Sequence, residues 1–382
     1  MTIKNSNDLV ISLRDVLMNK VNPFPIYLPN MKRVLRRSLK LPRGGVDFTS
    51  NDYLGLARSE VLYKMIVEGM SELPRKRNGS TGSRLLSGNS VLIEETEAKL
   101  AGIFNTPSAL LFDSGYSANL AVLSALPQRG DTIIMDELSH ASLKDGARLS
   151  LATKWNFLHN DPGDLEKKLK AAEGEKWIVL ESIYSMDGDE SPIKDVVALA
   201  ERFNAHIVLD EAHSTGLASQ KDVPKSIAVR VCTFGKAMGI HGACVCTSNN
   251  LKDLLVNFAR PFIYTTAPSD HSVVSVSCAF DFLEDNPGLQ VELNKRIDYF
   301  KSIARDVRGW KQSNSQIQVV LVPGHENVTN AASQLQSGGF DVRPILSPTV
   351  KEGEERLRIC LHTFNSEEEI AALVNEMKLL RL

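Results

Sequence analysis

A lysine and an acid stand just past two apolar runs in this chain. Lys236 lies in Thr233-Phe234-Gly235-Lys236-Ala237, after Val231-Cys232-Thr233. Asp210 opens Asp210-Glu211-Ala212-His213 and closes Ala205-His206-Ile207-Val208-Leu209. An amine and a carboxylate so placed suit pyridoxal phosphate. That cofactor needs an amine for its aldehyde carbon. It also needs a carboxylate to keep its ring nitrogen protonated, so that the ring accepts electrons. Taken alone, Lys236 reads more readily as a solvated loop lysine and Asp210 as a strand-end cap. The case rests on what accompanies them.

Ser114-Gly115-Tyr116-Ser117-Ala118-Asn119 follows a short apolar run and opens a helical pattern. Backbone N–H groups at a helix start bind phosphate, and a glycine permits close approach. Any strand–turn–helix uses Ser-Gly, so this signal needs partners. His140 begins another helical stretch, where an imidazole stacks on a flat heterocycle or caps the helix. Glu181-Ser182-Ile183-Tyr184-Ser185-Met186-Asp187-Gly188 follows Ile178-Val179-Leu180. Small hydroxyl and acid groups there can bond a phenolate oxygen, though Met-Asp-Gly alone is a turn. Arg358 sits inside the apolar run 357–361, so it needs a buried anionic partner or an exposed face. Exposure is the cheaper reading unless a site lies nearby. The glycine-rich stretch 79–88 is not a Walker loop, because no Gly-Lys-Ser/Thr follows, and Lys236 fails the same test.

Alternating elements must position these groups. Apolar runs at 109–112, 132–135, 177–180, 207–209 and 231–233 alternate with helical patterns. One helix is predicted to begin with Ser191 as N-cap and Pro192 at its first position, burying Ile193, Val196, Val197, Ala200 and Phe203. Buried runs separated by amphipathic helices imply an α/β fold with a mostly parallel sheet covered on both faces. Ligands of such sheets collect at the carboxyl ends of the strands. Asp113, Glu181, Asp210 and Lys236 all fall there. After about residue 270 two long helices, near 268–284 and 288–308, precede strands and a last helix opened by the capping box Ser366–Glu369. The expected organisation is an arm at 1–45, a large cofactor-binding domain at 46–270 and a small α+β domain at 271–382.

The whole composition is compatible with this. Among 382 residues, 43% are hydrophobic and 24% charged, with a net charge of −2. That balance fits a globular protein and argues against a nucleic-acid surface. No run approaches the roughly 18 apolar residues that span a bilayer. Residues 1–7 are polar and lack a signal-peptide core, so the expected location is cytoplasmic and no membrane partner is expected. Five cysteines, an odd number, lie in apolar runs and do not suggest disulfides. Cys244-Val245-Cys246 puts two thiols on one strand face with no second Cys/His pair near in sequence. Buried structural thiols are the better reading, and no metal is expected.

Taken in order, these stretches resemble a known family. Ser50-Asn51-Asp52-Tyr53-Leu54-Gly55-Leu56 leads. The glycine loop, Ser-Gly-Tyr, Ser-His-Ala-Ser, Ser-Met-Asp-Gly-Asp, Asp-Glu-Ala-His and Thr-Phe-Gly-Lys follow. The order resembles the α-oxoamine synthases, pyridoxal-phosphate enzymes of fold type I related to class II aminotransferases, over about residues 46–382. The stretch 140–150, His159-Asn160-Asp161, Phe258-Ala259-Arg260 with Ile263-Tyr264-Thr265-Thr266, and Pro348-Thr349-Val350 resemble the member that joins L-alanine to pimeloyl-CoA in biotin synthesis.

The resemblance implies a seven-stranded sheet and a homodimer with shared active sites. It implies that Lys236 bonds the cofactor aldehyde and later moves protons. It pairs Asp210 with the ring nitrogen, stacks His140 on the ring and places Ser185 and His213 by the ring oxygen. Ser114, Gly115, Tyr116 and Thr233 would hold the phosphate, with Thr265 or Thr266 reaching across from a second subunit. Asn51 and Arg358 would bind the amino acid, and Thr349 would line the acyl-CoA side. Three features depart from the family. The loop between Gly216 and Val231 is short, His241 stands where a small residue is usual, and the 1–45 arm shows no match. Sibling reactions, glycine with acetyl-CoA or serine with a long-chain acyl-CoA, remain open. So do an aminotransferase and a non-catalytic cofactor-binding protein.

Overall fold

The two faces of each central strand bury different residues. Ile133, Met135, Val179, Val208, Val231 and Val245 pack on one side of a sheet against Ala118, Val122, Leu143 and Ala147. Ile134, Ile178, Leu180, Ile207 and Leu209 pack on the other against Leu165, Leu169, Val196 and Leu199. Period-two alternation with both faces apolar is what turns continuous hydrophobic runs into a covered sheet. A computed structural model describes residues 44–217, 224 and 226–380, and the account that follows concerns these.

The sheet has seven strands: β1 (Ser108–Phe112), β2 (Thr132–Asp136), β3 (Thr153–Phe157), β4 (Lys176–Glu181), β5 (Ala205–Asp210), β6 (Val229–Thr233) and β7 (Ala243–Thr247). Their spatial order is β1-β7-β6-β5-β4-β2-β3. All neighbours are parallel except β7, which runs antiparallel to β1 and β6. Helices α1 (Gly115–Ala125) and α2 (Ala141–Leu149) cover one face and α3 (Ile193–Phe203) the other. This is the α/β architecture that the sequence predicts, with β3 added to the five predicted runs and the Cys244–Cys246 strand. β3 escapes the apolar pattern because it is an edge strand, with Thr153, Lys154 and Asn156 exposed.

A four-stranded antiparallel sheet follows in order β10-β11-β9-β8, formed by β8 (Trp310–Lys311), β9 (Ile317–Leu321), β10 (Arg343–Ile345) and β11 (Arg356–Cys360). The seven- and four-stranded sheets lie on either side of the expected 270/271 boundary, while Val46–Asp47 pairs in parallel with Phe340–Asp341 across it. That boundary falls at the start of α4 (Asp270–Asp285), which precedes α5 (Gly288–Ile303). The described residues from Gly44 onward form one compact unit. The predicted arm therefore lies outside the described residues, save Gly44 and Gly45. Most of the shortened 216–231 loop lies outside them too. No described helix is long and apolar enough to cross a membrane.

Two local expectations change. Ser191 does not cap α3. Its hydroxyl donates to the Glu181 carbonyl instead, and Pro192 becomes the N-cap residue without a side-chain bond. Cys232, remote from the Cys244–Cys246 pair in sequence, faces it in space. Antiparallel pairing sets Cys232 opposite Cys244, and the three buried sulfurs lie within 4.8 Å of one another. They belong to the apolar core around Phe104, Leu111 and Phe280. By contrast, the Ser366–Glu369 capping box forms as predicted, at the start of α6 (Glu367–Leu379).

One buried ion pair ties β6 to the turn after β5. Arg230 Nε donates to Glu211 Oε2 at 2.6 Å, Nη2 donates to Oε1, and Nη1 donates to the Phe104 carbonyl. Both side chains are only 4% exposed. Burial raises the Glu211 carboxyl, and the guanidinium beside it opposes that rise. Removing one partner of such a pair leaves an uncompensated group in the core. Arg230→Ala should therefore cost about 3–5 kcal/mol, read as a lower urea midpoint at neutral pH. An unchanged midpoint would show that the pair contributes nothing.

Candidate active site

The carboxyl ends of β4, β5 and β6 converge on a cavity of about 270 Å³. Asn51, Ser114, Gly115, Tyr116, His140, Asp210, His213, Thr233 and Lys236 all line it, as the sequence reading grouped them. Glu181, Asn119, Ser142 and His241 line it as well. A larger cavity of about 560 Å³ shares none of these residues. Its Arg84 and Lys252 cations are paired with Glu97.

Parallel pairing sets Glu181 directly beside Asp210. Each carboxylate is held by neutral donors. Asp210 Oδ1 accepts from the Ala212 amide at 2.9 Å, and Oδ2 accepts from Asn119 Nδ2 at 2.7 Å. Glu181 Oε1 accepts from the His140 amide at 2.6 Å. Burial, with Asp210 next to it, pushes the Glu181 carboxyl up to about 8. Glu181 is thus the neutral member of the pair near pH 7.

Asn119 joins the acid to the imidazole. Its amide also donates to Ser142 Oγ at 2.9 Å, and Ser142 Oγ lies 2.8 Å from His140 Nδ1. The Ser142 amide donates to the same Nδ1, so His140 caps α2. The capping and cavity-lining readings of His140 are therefore compatible. Burial, with Lys236 and Lys144 near, holds its imidazole below the usual histidine range. Asn119 was legible in the sequence as part of a helix start, but not as the link between two site residues.

Lys236 follows β6, and its Nζ lies 2.9 Å from His213 Nε2. Burial lowers its ammonium pKa, and Arg358 adds to the effect against Asp210 and Glu181. His213 is fully buried and held well below its ordinary range by burial and by the Lys236 charge. Arg358 is not the exposed strand arginine that sequence economy favours. Its Nε donates to the Ser185 carbonyl at 2.6 Å and its Nη2 to Asn51 Oδ1 at 3.0 Å. Ser185 thus reaches the site through its backbone. Neither Ser185 nor Arg358 lines the cavity, and neither do Thr265, Thr266 or Thr349. Thr349 is exposed on a turn after β10, and Thr265 and Thr266 follow a short helical turn, Arg260–Ile263.

The loop 183–190 is clamped from three directions. Arg356 donates to Asp187 at 2.6 Å and to the Met186 carbonyl. Gly188 (φ 72°) lies so near the Ile317 carbonyl that a Cβ would approach it to 2.2 Å, so only glycine fits. His159 bridges Asp136 at the end of β2 and Asp189 in the loop, at 2.9 and 2.6 Å.

These residues fit pyridoxal phosphate on three observations. A lysine amine, an ionisable acid and an imidazole share one cavity. Asn119 Oδ1, beside Asp210, is a buried acceptor without a protein partner. At the start of α1, a Cβ on Gly115 would come within 2.3 Å of the Thr233 methyl, so the N–H groups there are reached past bare backbone. The α1 N-terminus, capped by Ser114 bonding the Ser117 amide, leaves the amides of Gly115 and Tyr116 for an anion. Tyr116 itself stands at the rim, its hydroxyl donating to Asp145 at 2.6 Å.

Comparison with known proteins agrees. A family model described as aminotransferase class I and II matches residues 43–376. The 8-amino-7-oxononanoate synthase of Emericella nidulans is 36% identical, covering 90% of this chain and 91% of that protein. Sphingomonas wittichii serine palmitoyltransferase superposes with a TM-score of 0.82 at 25% identity, covering 100% of this chain and 98% of that one. The 8-amino-7-oxononanoate synthase of Francisella tularensis superposes at 0.74 and 26% identity, covering 88% and 97%.

The clamp by His159 has a pH signature. Burial opposes its charge, but the Asp136 and Asp189 carboxylates outweigh burial and lift the imidazole to about 10. A folded-state value above the ordinary 6.5 stabilises the protein fully below about pH 6.5 and loses that contribution as pH rises through 10. The difference in urea midpoint between wild type and His159→Phe should be largest near pH 6 and shrink toward pH 10. A difference that grows with pH would refute the charged bridge.

Proposed function

The chain belongs to the aminotransferase class I and II family, fold-type I transferases dependent on pyridoxal phosphate, and from that premise we propose that it joins L-alanine to pimeloyl-CoA. The products are 8-amino-7-oxononanoate, CoA and CO2, as in biotin synthesis. The observation that carries this reading is the group of Lys236, Asp210, His140 and His213 at the strand ends. The 36% identity to the Emericella synthase supports the choice of substrates.

Under this reading Lys236 holds the cofactor by its aldehyde carbon and Asp210 holds its ring nitrogen. His140 would stack on the ring, with Ser185 and His213 by its oxygen. Ser114, the Gly115 and Tyr116 amides and Thr233 hold the phosphate. When bound, the cofactor supplies an electron sink for the charge left at the amino acid's α-carbon. Arg358 and Asn51 hold the amino acid carboxylate, a bidentate task suited to a guanidinium. Displaced from the cofactor by the amino acid's amine, Lys236 takes the α-proton, and its lowered pKa favours the neutral amine. The α-carbon then bonds to the thioester carbonyl as CoA leaves. The carboxylate departs as CO2, and a proton returned by Lys236 completes the α-amino ketone. Thr349 is assigned to the acyl-CoA side.

A homodimer goes with this proposal, with Thr265 and Thr266 of one subunit serving the phosphate held by the other. Tyr264 beside them is 72% exposed on the single chain, as a subunit contact requires. The proposed location is the cytoplasm, where acyl-CoA and amino acids meet. A second reading, a long-chain acyl donor with serine, is favoured by the higher TM-score of the palmitoyltransferase. Its lower sequence identity weighs against it.

CoA release measured with alanine and pimeloyl-CoA, beside palmitoyl-CoA with serine, tests the assignment. Pimeloyl-CoA should have the higher kcat/KM, and preference for the palmitoyl donor would overturn the substrate choice. Lys236→Ala should abolish turnover and the absorbance of lysine-bound cofactor in a folded protein. Asp210→Asn should slow catalysis more than about tenfold, roughly 1.4 kcal/mol of barrier. A smaller loss would mean that another group protonates the ring.

A further inference from the structure

His241 departs from the family pattern, and the proposed mechanism gives it no task. It stands where two antiparallel registers meet. Ala243 of β7 pairs with Phe112 of β1 on one side and with Thr233 of β6 on the other. Continued two residues past those strand ends, the same registers set position 241 beside Ser114 and beside Gly235. The cavity agrees, since Ser114, Gly115, Thr233, Gly235 and His241 line it together. Backbone bonds hold the turn on both sides of His241. The Ile240 amide donates to the Phe234 carbonyl at 3.0 Å, and the Phe234 amide donates to the Gly242 carbonyl at 2.9 Å.

The anion-binding end of this cavity is built from neutral groups. The Gly115 and Tyr116 amides open α1, and Ser114 and Thr233 add hydroxyls. Among the described residues that line the cavity, Lys236 is the one lysine or arginine. The proposed function commits its amine to the aldehyde carbon. His140 and His213 also line the cavity, but both are engaged, His140 Nδ1 with Ser142 and His213 Nε2 with Lys236. His241 is exposed on the single chain, and its ring makes no hydrogen bond among the described residues. In either tautomer one ring nitrogen carries a hydrogen to donate. A phosphate gains most from such a donor, because hydrogen bonds to a charged group are roughly twice as strong as neutral ones. The acid on that side is Asp113, which shares a neighbouring cavity of about 50 Å³ with His241. One Asp113 oxygen already accepts from the Ser117 hydroxyl.

We propose that His241 is a further cofactor-binding residue of this chain, its imidazole donating to the phosphate held at the start of α1. The inference rests on the proposed function, which seats the phosphate there. Its consequence is selectivity. The chain holds the phosphorylated cofactor more tightly than the same ring without a phosphate, and the imidazole supplies part of that difference. Removing the ring donor should therefore weaken one ligand and spare the other.

The test titrates the full chain, freed of cofactor, with pyridoxal phosphate and separately with pyridoxal. Pyridoxal offers Lys236 the same aldehyde but has no phosphate. The absorbance of the lysine-bound ring reports both dissociation constants. His241→Ser should weaken pyridoxal phosphate binding about tenfold, the size of one hydrogen bond to a charged group. Pyridoxal binding and the thermal midpoint of the cofactor-free protein should stay as in wild type. His241→Gln, which keeps an N–H donor, should recover most of the lost affinity. Equal weakening of both ligands would mark a structural role and overturn the proposal. So would an unchanged constant for pyridoxal phosphate, or a glutamine variant no better than serine. A wild-type protein that binds no pyridoxal phosphate would instead overturn the proposed function.

Discussion

Burial on both faces of the parallel sheet is the constraint from which the rest of the structure follows. Strands β2, β4, β5 and β6 have no water on either side, so their backbone polar groups must pair along the ladder. The apolar register then breaks where the strands end. Asp136, Glu181, Asp210 and Thr233 are the last residues of those four strands, and all four are buried. Polar side chains can be buried there because the turns beyond supply donors. The Ala212 amide serves Asp210, the His140 amide serves Glu181, and the Leu138 and Asn160 amides serve Asp136.

That arrangement controls charge as well as position. Two carboxylates side by side in a low-dielectric site do not both ionise easily. Glu181 takes the cost, shifted up to about 8. On the opposite wall, burial and Arg358 lower the lysine. One low-dielectric cavity thus brings together a raised acid, a second carboxyl group and a lysine of lowered pKa. These are the conditions for acid–base work at neutral pH.

The C-terminal sheet contributes through two arginines on one strand. Arg356 and Arg358 lie two apart on β11, so both face the loop 183–190. Arg356 fixes Asp187 and Met186, and Arg358 fixes Ser185 and Asn51. The loop after β4 is thereby held between residues more than a hundred positions distant in the chain. A site built this way needs both sheets in place before its geometry exists.

Much of this was legible in the residues themselves. Local patterns determined the strands whose two faces are apolar, the acids that end them, the lysine just past one of them, the start of α1 and the cap of α6. Each depends on neighbours a few positions away, so spacing and residue type suffice. β3 was hidden because an edge strand carries polar side chains, and the start of α3 because Ser191 bonds a strand carbonyl rather than its own helix. The meeting of Cys232 with Cys244 waited on antiparallel pairing, and the half-burial of Arg358 on contacts with Ser185 and Asn51. Tyr53 looked like one more apolar residue in a lead-in motif. Only the folded chain sets it between His213 and Arg358, 160 and 305 positions away. Hydrogen bonds of that span are chosen by packing, and no local pattern in the chain encodes them.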